Sequence, residues 1–308
     1  MILTVTLNTA VDLTYRVPRL EPHGSHRVRE VTERPGGKGL NVARVLASLG
    51  QAAVITGFAG GPTGSQLREL LNAAPGAAGL TDALVRTKGH TRRTVAVVDE
   101  STGDTTQLNE PGPHIAPEEW SAFLAAYREL LPSADAVALC GSLPPGVPVG
   151  AYATLVRECR TADIPVLLDT SGEPLLRGLA ARPEIVKPNS EELAGITGSS
   201  DPVRGAHQAR RRGAHAVAVS LGPDGLLAVT PDGSWRATPP RQLKGNPTGA
   251  GDAAVAGLLS GTVERLSWAE RITRAVALSA ASVRAPAAGE FDEAAYADLL
   301  PQVEAVEA

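Results

Sequence analysis

Aromatic residues are scarce: three Phe, four Tyr and three Trp in 308 residues. So few flat rings argue against a stacking platform for single-stranded nucleic acid. Ala, Val, Leu and Gly must carry the core instead. Positive charge is not in excess either. The formal net charge is −4, which argues against nucleic acid or an anionic membrane as partner. A phosphate-bearing substrate would then need a local cationic site. The two cysteines, Cys140 and Cys159, lack metal-ligand spacing and read as reduced, cytosolic thiols. The six histidines show no ligand spacing, and no Ser/His/Asp or Cys/His arrangement stands out. No apolar run reaches membrane-spanning length. The opening Ile2–Leu7 has no basic region or cleavage pattern of a signal peptide and reads as a first strand. The expectation is a soluble, cytoplasmic protein.

What the chain does have is rhythm. Short apolar runs at Ile2–Leu7, Val54–Phe58, Ala136–Leu139, Val166–Leu168 and Ala216–Ser220 alternate with helix-length segments. These helices are expected over Asn41–Leu49, stopped by Gly50, and over Pro117–Leu131, Val149–Thr161 and Pro202–Arg212. Strands apolar on both faces belong in a parallel sheet covered by helices. The fold class is therefore α/β, a doubly wound and mostly parallel sheet. Residues 1–308 are read as one domain. Two stretches, about 11–35 and 86–111, break the rhythm with polar and β-prone residues. The second holds a hairpin, Thr94–Val98 returning as Thr105–Leu108. Together they are expected to form a small β-structured lid that closes over a ligand. After Gly251 the chain should be nearly all helical, over Trp268–Val283 and Asp292–Val306.

The most informative stretch is Asn246-Pro247-Thr248-Gly249-Ala250-Gly251-Asp252, followed by an apolar helix. A glycine-rich turn opening a helix aims free N–H groups, and the positive end of the helix dipole, at one point. That cradle suits phosphate. Asp252 would repel the same phosphate, unless it takes the proton of a hydroxyl that attacks phosphorus. The plainer role for Asp252 is to cap the helix. A second cluster, Gly36-Gly37-Lys38-Gly39-Leu40-Asn41, also precedes a helix. It is neither a Walker loop nor a dinucleotide fingerprint. Its glycines allow close backbone approach, and Asn41 can pair with two adjacent hydroxyls. Asn189 and Glu192 stand three apart at a helix start. That spacing serves a capping box or the water ligands of Mg²⁺. Ser220-Leu221-Gly222-Pro223-Asp224-Gly225 is a strand end and a tight turn, able to receive a nucleotide or simply to reverse the chain. Gly141-Ser142 lies at a strand's C-terminal end, where open α/β sheets bind ligands. Candidate cations for a substrate phosphate are Arg27, Lys38, Arg92 and Arg93, with a solvated fate preferred for Arg93.

In this order, the segments resemble the PfkB (ribokinase-like) carbohydrate kinases along essentially the whole chain. The resemblance runs through Thr6–Asp12, Gly36–Arg44, Thr91-Arg92, Gly141–Pro144, Leu168–Glu173, Lys187–Asn189, Val219–Gly222 and Gly249–Asp252. It is greatest to the 1-phosphofructokinase and tagatose-6-phosphate kinase branch. The resemblance implies Asp252 as catalytic base and the amides of Gly249, Ala250 and Gly251 as an anion hole. It implies Asp12, Gly37, Lys38, Gly39, Asn41, Arg92 and Ser142 as substrate ligands. Lys187, Asn189, Ser220, Gly222 and Gly225 would line the ATP site, and Asn189 with Glu192 would organise Mg²⁺ through water. The implied partners are a sugar phosphate and ATP, with a homodimer through the lid. Three positions depart from the branch's habit: Thr94 where Asn is common, Gln107 where phosphofructokinases can carry Arg, and Asn246-Pro247-Thr248 in the style of tagatose-6-phosphate kinases.

Overall fold

The computed structural model describes residues 1–308. In chain order the first half contains β1 (Ile2–Thr6), β2 (Ala10–Val17), β3 (Glu30–Gly36), α1 (Lys38–Ser48), β4 (Ala53–Gly60), α2 (Gly61–Asn72) and β5 (Leu80–Thr87). Then come β6 (Arg92–Asp99), β7 (Thr105–Asn109), α3 (Pro117–Leu130), β8 (Ala136–Cys140) and α4 (Ala151–Thr161). The second half continues with β9 (Val166–Asp169), α5 (Gly172–Ala180), β10 (Ile185–Val186), α6 (Ser190–Thr197), α7 (Pro202–Arg211) and β11 (Ala216–Ser220). It ends with β12 (Leu226–Val229), β13 (Ser234–Ala237), α8 (Ala250–Val263), α9 (Trp268–Ser282), α10 (Glu293–Leu299) and β14 (Ala305–Glu307).

A 10-stranded sheet has the order β14-β13-β12-β11-β10-β9-β8-β1-β4-β5. From β5 to β11 in that order every pairing is parallel, and the remaining edge strands are antiparallel. Side chains alternate between its faces. Leu3, Val5, Val137, Leu139 and Leu168 join one apolar cluster with α3, α4, α5 and α7. Ile2, Ala136, Ala138 and Leu167 face the other, which contains α1, α8 and α9. Of these, Ala136 and Ala138 on β8 are small, and α8 packs against β8. Helix α8 is apolar all round and buried, as a helix must be when it has no wet side. A Cβ on Gly257 would stand 2.6 Å from the Ala275 Cα of α9.

A separate 4-stranded sheet, β3-β2-β6-β7, is built from the two stretches that broke the rhythm. The expected hairpin is there: β6 and β7 are antiparallel. Helix α1 begins at Lys38, three residues before the expected start. Gly37, at φ 118°, makes the sharp entry into it from β3.

The C-terminus differs from expectation. The helix expected over 292–306 ends at Leu299, followed by one short turn at Leu300–Gln302 and by β14. Pro301 has no amide to continue the helix. The unpaired edge of β13 takes up the last residues, Trp235 opposite Glu307.

Candidate active site

Strand β1 is followed in sequence by β4 and β5 on one side, while β8 and the later strands lie on the other. The order reverses between β1 and β8, and such a reversal opens a crevice beyond the C-terminal ends of the strands. The residues just past those ends meet there. Asn8 Nδ2 donates to Ser142 Oγ at 3.1 Å and to Pro111 O at 3.1 Å. Helix α1 starts against the same crevice. A Cβ on Gly39 would stand 2.4 Å from Thr6 Oγ1, so only glycine lets α1 begin this close to β1.

Four charged side chains converge below the crevice. On the first turn of α8, Asp252 is 6 % exposed, and its Oδ2 accepts a hydrogen bond from Asn41 Nδ2 at 2.9 Å. Asp169 ends β9 on the α1 side of the sheet and is 1 % exposed. Lys38 Nζ donates to Asp169 Oδ1 at 3.1 Å, and Lys187 Nζ lies 3.5 Å from Oδ2. The carboxylates and ammoniums balance in number, which is what makes burial of so much charge tolerable. Burial, then repulsion by Asp169, pushes the Asp252 carboxyl up to about 6, against the pull of Lys38, Asn41 and Lys187. Burial alone would lower Lys38, but attraction to Asp169 and then Asp252 raises it. Lys38 is therefore held by Asp169 rather than reaching out freely.

Helix α8 starts with no side-chain cap, at Gly249 with φ 90°. Its first amides thus have the orientation of an anion site without a built-in acceptor. Asp252 does not cap this helix; its side chain turns to Asn41 instead. Helix α1 is likewise uncapped.

On the other side of the crevice, Asp12 lies in β2, an inner strand of the small sheet. Its Oδ1 accepts from Thr94 Oγ1 at 2.6 Å. Burial raises its pKa, opposed by the Thr94 hydrogen bond, Arg92 and Arg44. A Cβ on Gly36 would overlap its carboxylate, at 2.1 Å from Oδ1. Arg92 donates through Nε to Asn8 O and through Nη1 to Glu110 O. It faces a separate 410 Å³ hollow with His90 and His114. Arg93 is paired with Glu110 and exposed, and Arg27 is exposed.

A larger cavity of about 630 Å³ opens beside the start of α8. Ser220, Gly222 and Gly225 line it, together with Ala250 and Gly251. Apolar walls come from Leu226, Val276, Ala280 and Val283, and the 239–245 loop adds Leu243 together with Arg241, Gln242 and Lys244. Several buried polar atoms around cavity and crevice have no partner: Ser220 Oγ, Asn41 Oδ1 and Asn8 Oδ1. Unpaired buried acceptors are costly unless a ligand supplies donors. Hydroxyl groups would satisfy all three. Asn189 and Glu192 form a reciprocal cap on α6: Asn189 Oδ1 accepts from Glu192 N at 2.7 Å, and Glu192 Oε2 accepts from Asn189 N at 2.9 Å.

Ser220, Gly222 and Gly225 thus line the cavity, Arg92 faces a separate hollow, Arg27 and Arg93 are exposed, and Asp12, Lys38, Asn41, Ser142, Lys187 and Asp252 gather around the crevice. Three that sequence reasoning left without a role also belong to it. Asp169 had a usable signal, as a carboxylate at the end of an apolar parallel strand. Asn8 falls within the matching segment Thr6–Asp12 and Thr94 at a departure from the family's habit, but their partners lie far along the chain and no local pattern shows them.

Fold and site together define a small-molecule kinase of ribokinase-like architecture. The chain belongs to the pfkB family of carbohydrate kinases, whose profile matches residues 3–295. It is 30% identical to phosphofructokinase-2 from Escherichia coli in its tetrameric inhibited form, with 98% of each chain covered and a TM-score of 0.90. It is 27% identical to a possible 1-phosphofructokinase from Thermotoga maritima, covering 100% of this chain and 99% of that one, with a TM-score of 0.89. Arabidopsis thaliana ribokinase, solved with ribose and ATP, is 20% identical over 97% of this chain and 98% of that one, with a TM-score of 0.78, and speaks for the fold alone. The protein is an ATP-dependent sugar kinase. No helix is long and apolar enough to cross a membrane.

Proposed function

We propose that the chain transfers the γ-phosphoryl group of ATP, with Mg²⁺, to a primary hydroxyl of a ketohexose monophosphate, giving a bisphosphate and ADP. The first choice of acceptor is fructose 1-phosphate, which would give fructose 1,6-bisphosphate. Tagatose 6-phosphate and fructose 6-phosphate follow. The observation that carries this reading is the buried Asp252 at the uncapped start of α8, held by Asn41 and pushed up to about 6. A carboxylate with that pKa is ionised at neutral pH, yet basic enough to draw a proton from an alcohol.

The reaction needs positioning and charge neutralisation more than covalent chemistry. Asp12, the unpaired oxygens of Asn8 and Asn41, and the backbone at Gly37 and Gly39 take the sugar hydroxyls. Arg92, tied to the Asn8 carbonyl, and Ser142, tied to the Asn8 side chain, face the acceptor's phosphate. The nucleoside fills the cavity along Ser220, Gly222 and Gly225. Its phosphates run toward Lys187 and the amides of Gly249, Ala250 and Gly251. Asp252 accepts the proton of the attacking hydroxyl, and the amides take the charge that grows on the equatorial oxygens. Lys38 and Lys187, held by Asp169, keep the base and the transferring group in a compensated field.

Asn189 and Glu192 suit a hard cation bound through its waters, because the cap fixes both side chains and leaves one Glu192 oxygen free. Mg²⁺ there would neutralise charge on the transferring phosphates. The chain is read as one kinase domain, with residues 11–35 and 86–111 as its lid. The exposed Val31 and Leu108 of the small sheet favour pairing of two lids in a homodimer.

The test is ADP release with Mg-ATP against fructose 1-phosphate, fructose 6-phosphate, tagatose 6-phosphate, fructose and ribose. A strong preference for one phosphorylated ketohexose supports the reading. Turnover only with free sugars keeps the kinase and removes the phosphate pocket.

A further inference from the structure

Arg44 is a fully buried arginine, 1 % exposed. It lies on α1 one turn after Asn41, between that helix and the segment 284–291. Its Nη1 donates to Ala288 O at 2.8 Å, and its Nη2 donates to Glu290 Oε1 at 2.6 Å. Arg34, at the end of the small sheet, also approaches Glu290 Oε1, at 3.7 Å. The segment held in this way backs onto the turn before α8. A Cβ on Gly249 would stand 2.8 Å from Ala288 Cα and 3.4 Å from Gly289 N. A Cβ on Gly289 would stand 2.7 Å from Arg44 Nη1 and 3.1 Å from Asn41 Oδ1. Helix α1 thus grips the site twice. Asn41 holds the carboxylate of Asp252, and Arg44 holds the wall behind Gly249. A buried ion pair is a poor device for stability, since apolar residues of like volume often serve as well. What a forked guanidinium adds is direction, because it fixes two acceptors in one plane.

We propose that Arg44 and Glu290 are positioning residues for phosphoryl transfer. The pair presses 288–290 against Gly249, so that the amides of Gly249–Gly251 keep the direction required by the transition state. This rests on the reading of that turn as the anion hole. Neither residue touches the substrates. Their loss therefore acts on kcat, where a misplacement of about 1 Å costs on the order of 10²-fold, and leaves both binding sites nearly intact.

The experiment compares Glu290→Gln, Glu264→Gln and Asp252→Asn with the parent enzyme. Glu264 forms a more exposed pair with Arg274 away from the site, at 2.7 Å. Glu290→Gln is expected to lower kcat by about tenfold or more. Its KM for the sugar phosphate and its affinity for ATP should stay within about threefold, and amide exchange at 249–252 should quicken. Glu264→Gln, which also breaks an arginine pair, should leave kcat unchanged. Arg44→Lys, which keeps the charge but not the fork, should repeat the kcat loss and serves if Glu290→Gln does not fold. A kcat for Glu290→Gln within about twofold of the parent overturns the proposal, as does a loss shared equally with KM. An equal kcat loss in Glu264→Gln overturns it too. If Asp252→Asn is inactive while Glu290→Gln is fully active, the clamp alone fails. If Asp252→Asn turns over normally, the base is not Asp252, and the reading of this turn as the transfer site, on which the clamp rests, fails with it.

Discussion

Replacing Asp252 with Asn should injure catalysis and strengthen the fold at the same time. Asn copies the shape of the protonated acid and can still accept from Asn41 Nδ2. It cannot take a proton, so kcat should fall by about 10²- to 10⁴-fold. The stability effect follows from the shift of the Asp252 carboxyl from 3.8 to about 6. The native state binds that proton more tightly than the unfolded chain does. Stabilisation by the proton is complete below about pH 3.8 and is lost as the pH rises through about 6. At pH 8 the ionised carboxylate therefore costs about 3 kcal/mol that the amide avoids. For a chain of this length that is a rise in Tm of roughly 4 °C. The gap should narrow to about half at pH 5 and to about a fifth at pH 4. Thermal unfolding of both proteins across this range reads the stability arm. The parent enzyme's kcat/KM should climb with pH and level off above about 6, since that ratio reports the free enzyme's base. A variant no more stable than the parent at pH 8, or equally stabilised at every pH, would refute the assignment of a strained, buried anion. A variant with near-normal turnover would remove Asp252 from the chemistry.

Two further expectations use other parts of the molecule. Arg92→Ala should raise KM for the sugar phosphate far more than KM for ATP, measured with each substrate varied at saturation of the other; equal effects would contradict its assignment to the acceptor. Gly257→Ala should destabilise the protein by about 1–3 kcal/mol in chemical denaturation, because the new methyl meets the backbone of α9 at 2.6 Å; an unchanged midpoint would mean that α8 and α9 are not held at this spacing.

Much of this protein was legible in its sequence because much of it is local. The apolar runs that became β1, β4, β8, β9 and β11 differ from the expected spans only at their ends. Gly37 and Gly249 could be read as helix entries because their positive φ angles answer a local steric demand. The Asn189–Glu192 spacing already contained its reciprocal cap. Proximity across the fold is a different kind of information, and only the tertiary structure decided it. Lys38 meets Asp169 across 131 positions, Asn41 meets Asp252 across 211, and Arg44 meets Glu290 across 246. No periodicity or propensity encodes such pairings, because they arise from which strands lie side by side and how closely α1 and α8 approach. The same holds at the C-terminus, where local composition favoured helix and the free edge of β13 drew the last residues into the sheet instead. Sequence by itself determined the architecture and the identity of the chemical groups. The packing of distant segments determined which of those groups are buried together, and burial is what raises Asp252 toward the pKa of a working base.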